Sequence, residues 1–149
     1  MASNAINRKI IREQLAQVID AKFGATWDVF NHKTPKFNGK ARNIVVSSAG
    51  SRRSIQAADA VDADASFRFR IFLFVLYADN ANSWDAQDSE DALDTAEKDL
   101  TDVLTDNHEL TNYWNKLTIE GESDPDNVID EGGQVFRREI ITVRTEIYT

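Results

Sequence analysis

The chain has 149 residues, 42% of them apolar, with 17 Lys+Arg against 25 Asp+Glu and no cysteine. One domain of this size buries a sufficient core without disulfides or a structural metal, and the lack of cysteine excludes thiol nucleophiles and thiolate zinc sites. No stretch approaches the roughly 18 apolar residues of a membrane span, the opening residues MASNAINRKI lack the order of a signal peptide, and a net charge of −8 argues against coating nucleic acid. Synthesis in a cytoplasm, with no membrane and no sequence-specific nucleic-acid partner, is the expectation.

Residues 3–23 read as an amphipathic helix. Ser3 or Asn4 can cap it, Ile6, Ile10, Leu15, Val18 and Ile19 form its apolar stripe with Ile11 at the edge, and Gly24 stops it. A short β-branched run, Asn43 to Ser48, reads as a strand. The clearest strand is FRFRIFLFVLY, Phe67 to Tyr77. Phe67, Phe69 and Ile71 alternate with Arg68 and Arg70, and from Ile71 onward both faces are apolar, which predicts a central strand covered on both sides. Arg68 and Arg70 fit gatekeepers against aggregation of this run.

Residues 88–106 read as a second helix, with Leu93, Ala96, Leu100, Val103 and Leu104 on one stripe, acidic residues on the rest, and Asp85 or Asp88 as cap. Leu117 to Glu120 is a candidate short strand. Val135 to Tyr148 is a long one, and mixed charge near Arg137 to Glu139 suggests that its start protrudes beyond the core. The expected fold is therefore α+β: a small, mostly antiparallel sheet of about four strands, two helices packed on one face, and long loops at about 24–42, 49–66 and 121–134.

Charge is strongly segregated. Residues 1–56 hold ten Lys/Arg and three Asp/Glu, whereas residues 79–131 hold two Lys/Arg and seventeen Asp/Glu. Two arrangements account for this: the halves neutralise each other inside one molecule, or they pair between molecules, as in a ring of heterologous contacts. On the second arrangement Lys33, Lys36, Lys40, Arg52 and Arg53 meet acidic partners, and Asp124, Asp126, Asp130 and Glu131 meet basic ones. Trp27, Phe30 and Phe37 are interface anchors or core lining.

Catalytic patterns are missing from the sequence. There is no glycine-rich phosphate loop and no Gly-x-Ser-x-Gly elbow. His32 and His108 have no second histidine at ligand spacing. Asp124, Asp126 and Asp130 are spaced somewhat like a calcium loop, but Val128 and the missing closing glutamate break the pattern. No enzyme activity, metal or cofactor is expected.

The order of elements resembles the tail terminator (tail-completion) proteins of tailed bacteriophages: an opening helix AINRKIIREQLAQVID, a strand and long loop, the strand FRFRIFLFVLY, the helix SEDALDTAEKDLTDVL, and the closing strand VFRREIITVRTEIYT. The likeness is one of topology and composition, and the basic, aromatic stretch 24–42 departs from it. The resemblance implies a virion protein made in the host cytoplasm. It implies a ring, hexameric in the family, that ends tail-tube polymerisation and meets the head-side connector, and it implies no catalytic residues.

Overall fold

A computed structural model describes residues 7–33, 37, 40–55, 63–77 and 85–148. Two helices, α1 (Arg8–Phe23) and α2 (Ala86–Asp106), accompany six strands. These are β1 (Asp28–Phe30), β2 (Arg42–Ile55), β3 (Ala63–Leu76), β4 (Lys116–Glu120), β5 (Asp126–Ile129) and β6 (Val135–Ile147). The class is α+β, but the sheet is larger and more mixed than four antiparallel strands. Its order is β1-β2-β3-β6-β4, with β5 also on β6 and β1 running parallel to β2.

The extra strands lie inside segments that their polar composition marks as loops. The first expected loop holds β1, and GESDPDNVIDEGG holds β5, which pairs Asp126 with Arg138 and Ile129 with Val135. The middle loop is mostly strand: β2 continues to Ile55, paired along its length with β3, which starts at Ala63. A register shift between Ser48 and Gly50 lets the two strands run on past their apolar part.

Asn7 caps α1, its side chain accepting from the backbone N–H groups of Lys9 and Ile10; Ser3, Asn4 and Ile6 lie outside the described residues. The buried stripe of α1 is Ile11, Leu15, Ile19 and Phe23 with Ala16, so Ile11 is central and Ile10 flanks it. That is the four-residue ladder of a single helix face. Asp85 caps α2 in a reciprocal capping box with Asp88, and the predicted stripe Leu93, Ala96, Leu100, Val103 and Leu104 is buried. Hydrogen bonds from the backbone N–H groups of the first turn hold the Asp85 carboxyl below its ordinary pKa.

Both helices cover one face of the sheet. Their stripes meet Phe67, Phe69, Ile71, Leu73 and Val75 of β3, Ile44 and Val46 of β2, and Ile141, Val143 and Ile147 of β6. A second, smaller cluster fills half of the other face: Phe37, Val45, Phe72, Leu76 and Phe136. β3 lies between β2 and β6, as its two apolar faces predicted. Trp27 joins the helix-side core and Phe37 the smaller cluster, so these two aromatics line cores; half-buried Phe30 packs beside Phe37.

At the start of β6 only Val135, 38% exposed, stands outside the core. Phe136 is fully buried, and the charges around it are neutralised by neighbours. Arg137 pairs with Glu90 of α2, and Arg138 makes two hydrogen bonds to Asp126 of β5, at 3.0 and 2.7 Å.

Candidate assembly surface

Strand alternation sends β3, β6 and β4 side chains to opposite sides of the sheet. Arg68 and Arg70 leave the helix-side core that Phe67, Phe69 and Ile71 enter, and so project from the open face. Arg144 stands directly opposite Arg68 in the ladder, and Arg52 stands opposite Ser66. Two arginines facing each other across strands repel. Glu120 of β4 answers both, at 3.0 Å from Arg68 and 3.2 Å from Arg144. Gly50, Ser51, Arg52, Ser66, Arg68, Glu120 and Arg144 line a shallow cavity of about 450 Å³ at this end of the sheet.

On the helix side, α2 carries the opposite charge. Asp91, Asp94 and Asp102 are exposed on α2, and Asp99 is half-exposed; Asp102 is bridged by its own helix neighbour Lys98. Glu139 of β6 points to this side and is 6% exposed, with the Ser123 hydroxyl donating to its carboxylate. Burial pushes its pKa up, Ser123 opposes that shift, and the negative charges of Glu97, Asp94 and Asp124 add to it.

Part of the segregation seen along the chain is answered across the sheet. Four arginines of β3 and β6 meet the acidic segment: Arg68 and Arg144 on Glu120, Arg137 on Glu90, Arg138 on Asp126. Four cations of the basic first third bond within that third. Lys9 bridges Glu13, Lys40 bridges Asp28 at 3.2 Å, Arg8 donates to Ser51 and Arg12 to Ser48. A cavity of about 450 Å³ between α1 and α2 brings Lys22 and Arg42 to the same lining as Asp88, Asp91 and Asp99, where the two signs come near each other.

The structure distributes the sequence-predicted contact residues unevenly. Lys33 is exposed, its ammonium 5.5 Å from the centre of the Phe72 ring on the open face. Lys36 lies outside the described residues. Lys40 is engaged with Asp28, and Asp126 with Arg138. Arg52 lines the open-face cavity, whereas Arg53 turns to the helix side over the Phe67 ring, 5.1 Å from its centre. Asp130 braces its own turn: its carboxylate accepts from the backbone N–H of Gln134 at 2.9 Å and of Phe37 at 3.4 Å. Asp124 and Glu131 are exposed.

Arg70, Glu120 and Arg144 were absent from the predicted set. The signal for Arg70 was present in the FRFR alternation, but identifying Glu120 and Arg144 needed the β4–β6 register. His32 bonds its neighbour Asn31, and exposed His108 bonds the Thr105 carbonyl. Among the described residues no group of three or more His, Cys, Asp or Glu could hold a metal ion, and no helix is long and apolar enough to cross a membrane. Comparison of the sequence with protein-family models and with curated proteins found no match.

Proposed function

We propose that this chain is a structural subunit of a bacteriophage tail or neck, a tail terminator. Identical copies close into a ring, six in the family it resembles, which stops tail-tube growth and offers a surface to the head-side connector. Its work is done by contact, without a catalytic centre or cofactor, and its place is the virion.

The observation that carries the reading is the charge left unmatched on the two sides of the sheet. The open face presents Arg52 and Arg70 in addition to the Glu120-bound pair, and the helix side presents the aspartates of α2. Opposite poles on opposite faces suit heterologous contacts, because one copy's acidic side meets the next copy's basic side, and such contacts close into rings when the rotation allows. The order of elements supports the same assignment through its resemblance to the terminator family.

Light scattering on purified protein, alone and with isolated tail tubes, tests the reading. The expected result is a mass several times that of the 16.8 kDa chain, at least in the presence of tubes. Disruption of the corresponding phage gene is expected to leave tails of uncontrolled length without heads. A strictly monomeric protein that neither binds nor caps tubes contradicts the proposal and leaves a small monomeric binding domain.

A further inference from the structure

The turn between β5 and β6 is exposed and held by its own hydrogen bonds. The backbone N–H of Asp130 donates to the Gln134 carbonyl, that of Gly133 donates back to Asp130, and the Asp130 carboxylate holds Gln134 N–H and Phe37 N–H. Gly133 has φ +85°, a conformation that glycine adopts without strain. Just before and after this turn stand Ile129 and Val135, direct partners in the ladder and therefore on one face. Ile129 is 70% exposed and Val135 38%. An aliphatic pair this exposed on a braced hairpin loses little conformational entropy on binding, which is what a preorganised anchor requires. Acidic Glu131 stands beside it, exposed.

A matching recess lies on the other face of the same sheet. Val45, Phe72 and Phe74 floor a depression of about 220 Å³, and Lys33 and Arg138 form its sides. Val45 and Phe72 belong to the smaller apolar cluster, and the rings of Phe72 and Phe74 stack at 5.8 Å. The floor is apolar, the sides are cationic, and the space admits one or two aliphatic side chains. Val135 alternates with Arg137 and Glu139 toward the helix side, whereas Phe72 and Phe74 project from the open face, so the protrusion and the recess of one molecule cannot meet.

We propose that the Ile129–Val135 protrusion of one copy seats in the Val45–Phe72–Phe74 recess of the next, with Glu131 set against Lys33. This gives the ring reading a contact, and it rests on that reading only for the closure of the chain of contacts into a ring. The contact is heterologous: each copy gives its protrusion to one neighbour and its recess to another, and Glu131 against Lys33 makes the pair complementary in charge. An anchor of this size contributes part of a standard interface of roughly 1,600 Å², so assembly is expected to grow with concentration or on a tube end.

The absence of cysteine makes the test direct. The double variant Ile129→Cys with Lys33→Cys, oxidised under assembling conditions, is expected to give a ladder of cross-linked oligomers. Each single variant alone is expected to give none, and an equimolar mixture of the two to give dimers. Ile129→Asp is expected to reduce the mass from light scattering to the monomer with unchanged circular dichroism, and Ile129→Leu to keep it. The pair Lys33→Glu with Glu131→Lys is expected to restore what either alone weakens.

Assembly of normal mass without the ladder, and insensitive to Ile129→Asp, overturns the contact and leaves the terminator reading standing. Loss of tube binding in Ile129→Asp without any ladder assigns the protrusion to the tube protein and also overturns it. A ladder from a chain that fails to cap tubes upholds the contact and removes the terminator reading. A chain monomeric at all concentrations, with and without tubes, overturns both.

Discussion

The two sides of the sheet are built from the same three long strands and differ in almost every other respect. The helix side is a continuous apolar core, sealed by α1 and α2, and α2 makes part of its outer layer acidic. The open side is apolar over half its length, around Phe72 and Phe136, and basic over the rest, around Arg52, Arg68, Arg70 and Arg144. The contrast separates two tasks. One side stabilises the monomer, and the other keeps desolvation incomplete and charges exposed, the condition for a surface that recognises another molecule.

Truncating a core residue tests that division with the largest expected effect. Phe69→Ala, fully buried under the helices, is expected to cost about 3–5 kcal/mol, whereas Phe74→Ala, half-buried on the open side, is expected to cost about 1–2 kcal/mol. Chemical denaturation of both variants checks the order, and equal costs break the comparison. Next is Glu120→Gln, which leaves Arg68 and Arg144 facing each other without their shared carboxylate. A loss of about 1–2 kcal/mol is expected, larger at low salt than at high.

Glu139 gives a smaller effect of opposite sign. Its pKa in the folded protein is raised, so between the ordinary value and the raised one the folded state holds a proton that the unfolded state has released. Stability from this group is therefore full below the ordinary glutamate pKa and is lost as pH rises through the raised one. Glu139→Gln retains the hydrogen bond from Ser123 and removes the buried charge. It is expected to stabilise the protein by roughly 0.5–1 kcal/mol at neutral pH, with no gain in acid. Thermal melts across pH check this, and a variant that is less stable at neutral pH contradicts the account of the helix side.

How much of this was legible beforehand follows from the kind of signal each residue carries. α2 and β3 were readable because their periodicities, Leu93–Ala96–Leu100–Val103 and Phe67–Phe69–Ile71, are set by burial on one or both faces. β5 and the outer half of β2 were hidden because their residues are mostly exposed and polar; what makes them strands is pairing to distant partners, Asp126 to Arg138 and Arg52 to Ser66. Tertiary pairing overrides local preference in such segments. The same blindness affected the site. Lys40 and Asp126 were selected for charge alone, and the structure engages both locally, while Glu120 acquires its place only when β4 docks on β6. Ile129 was passed over because two adjacent apolar residues, Val128 and Ile129, in an acidic loop have no periodicity to announce them.

The central claim is that charge left unmatched on the two sides of the sheet joins one copy to the next. It is tested most directly by light scattering on the wild-type chain and on Arg52→Glu/Arg70→Glu, each with tail tubes, as salt is raised from about 0.05 to about 0.5 M. The account predicts a wild-type mass several times 16.8 kDa that falls with salt, and a reversal variant that stays near the monomer throughout. A wild-type mass unmoved by salt and by the charge reversal contradicts it.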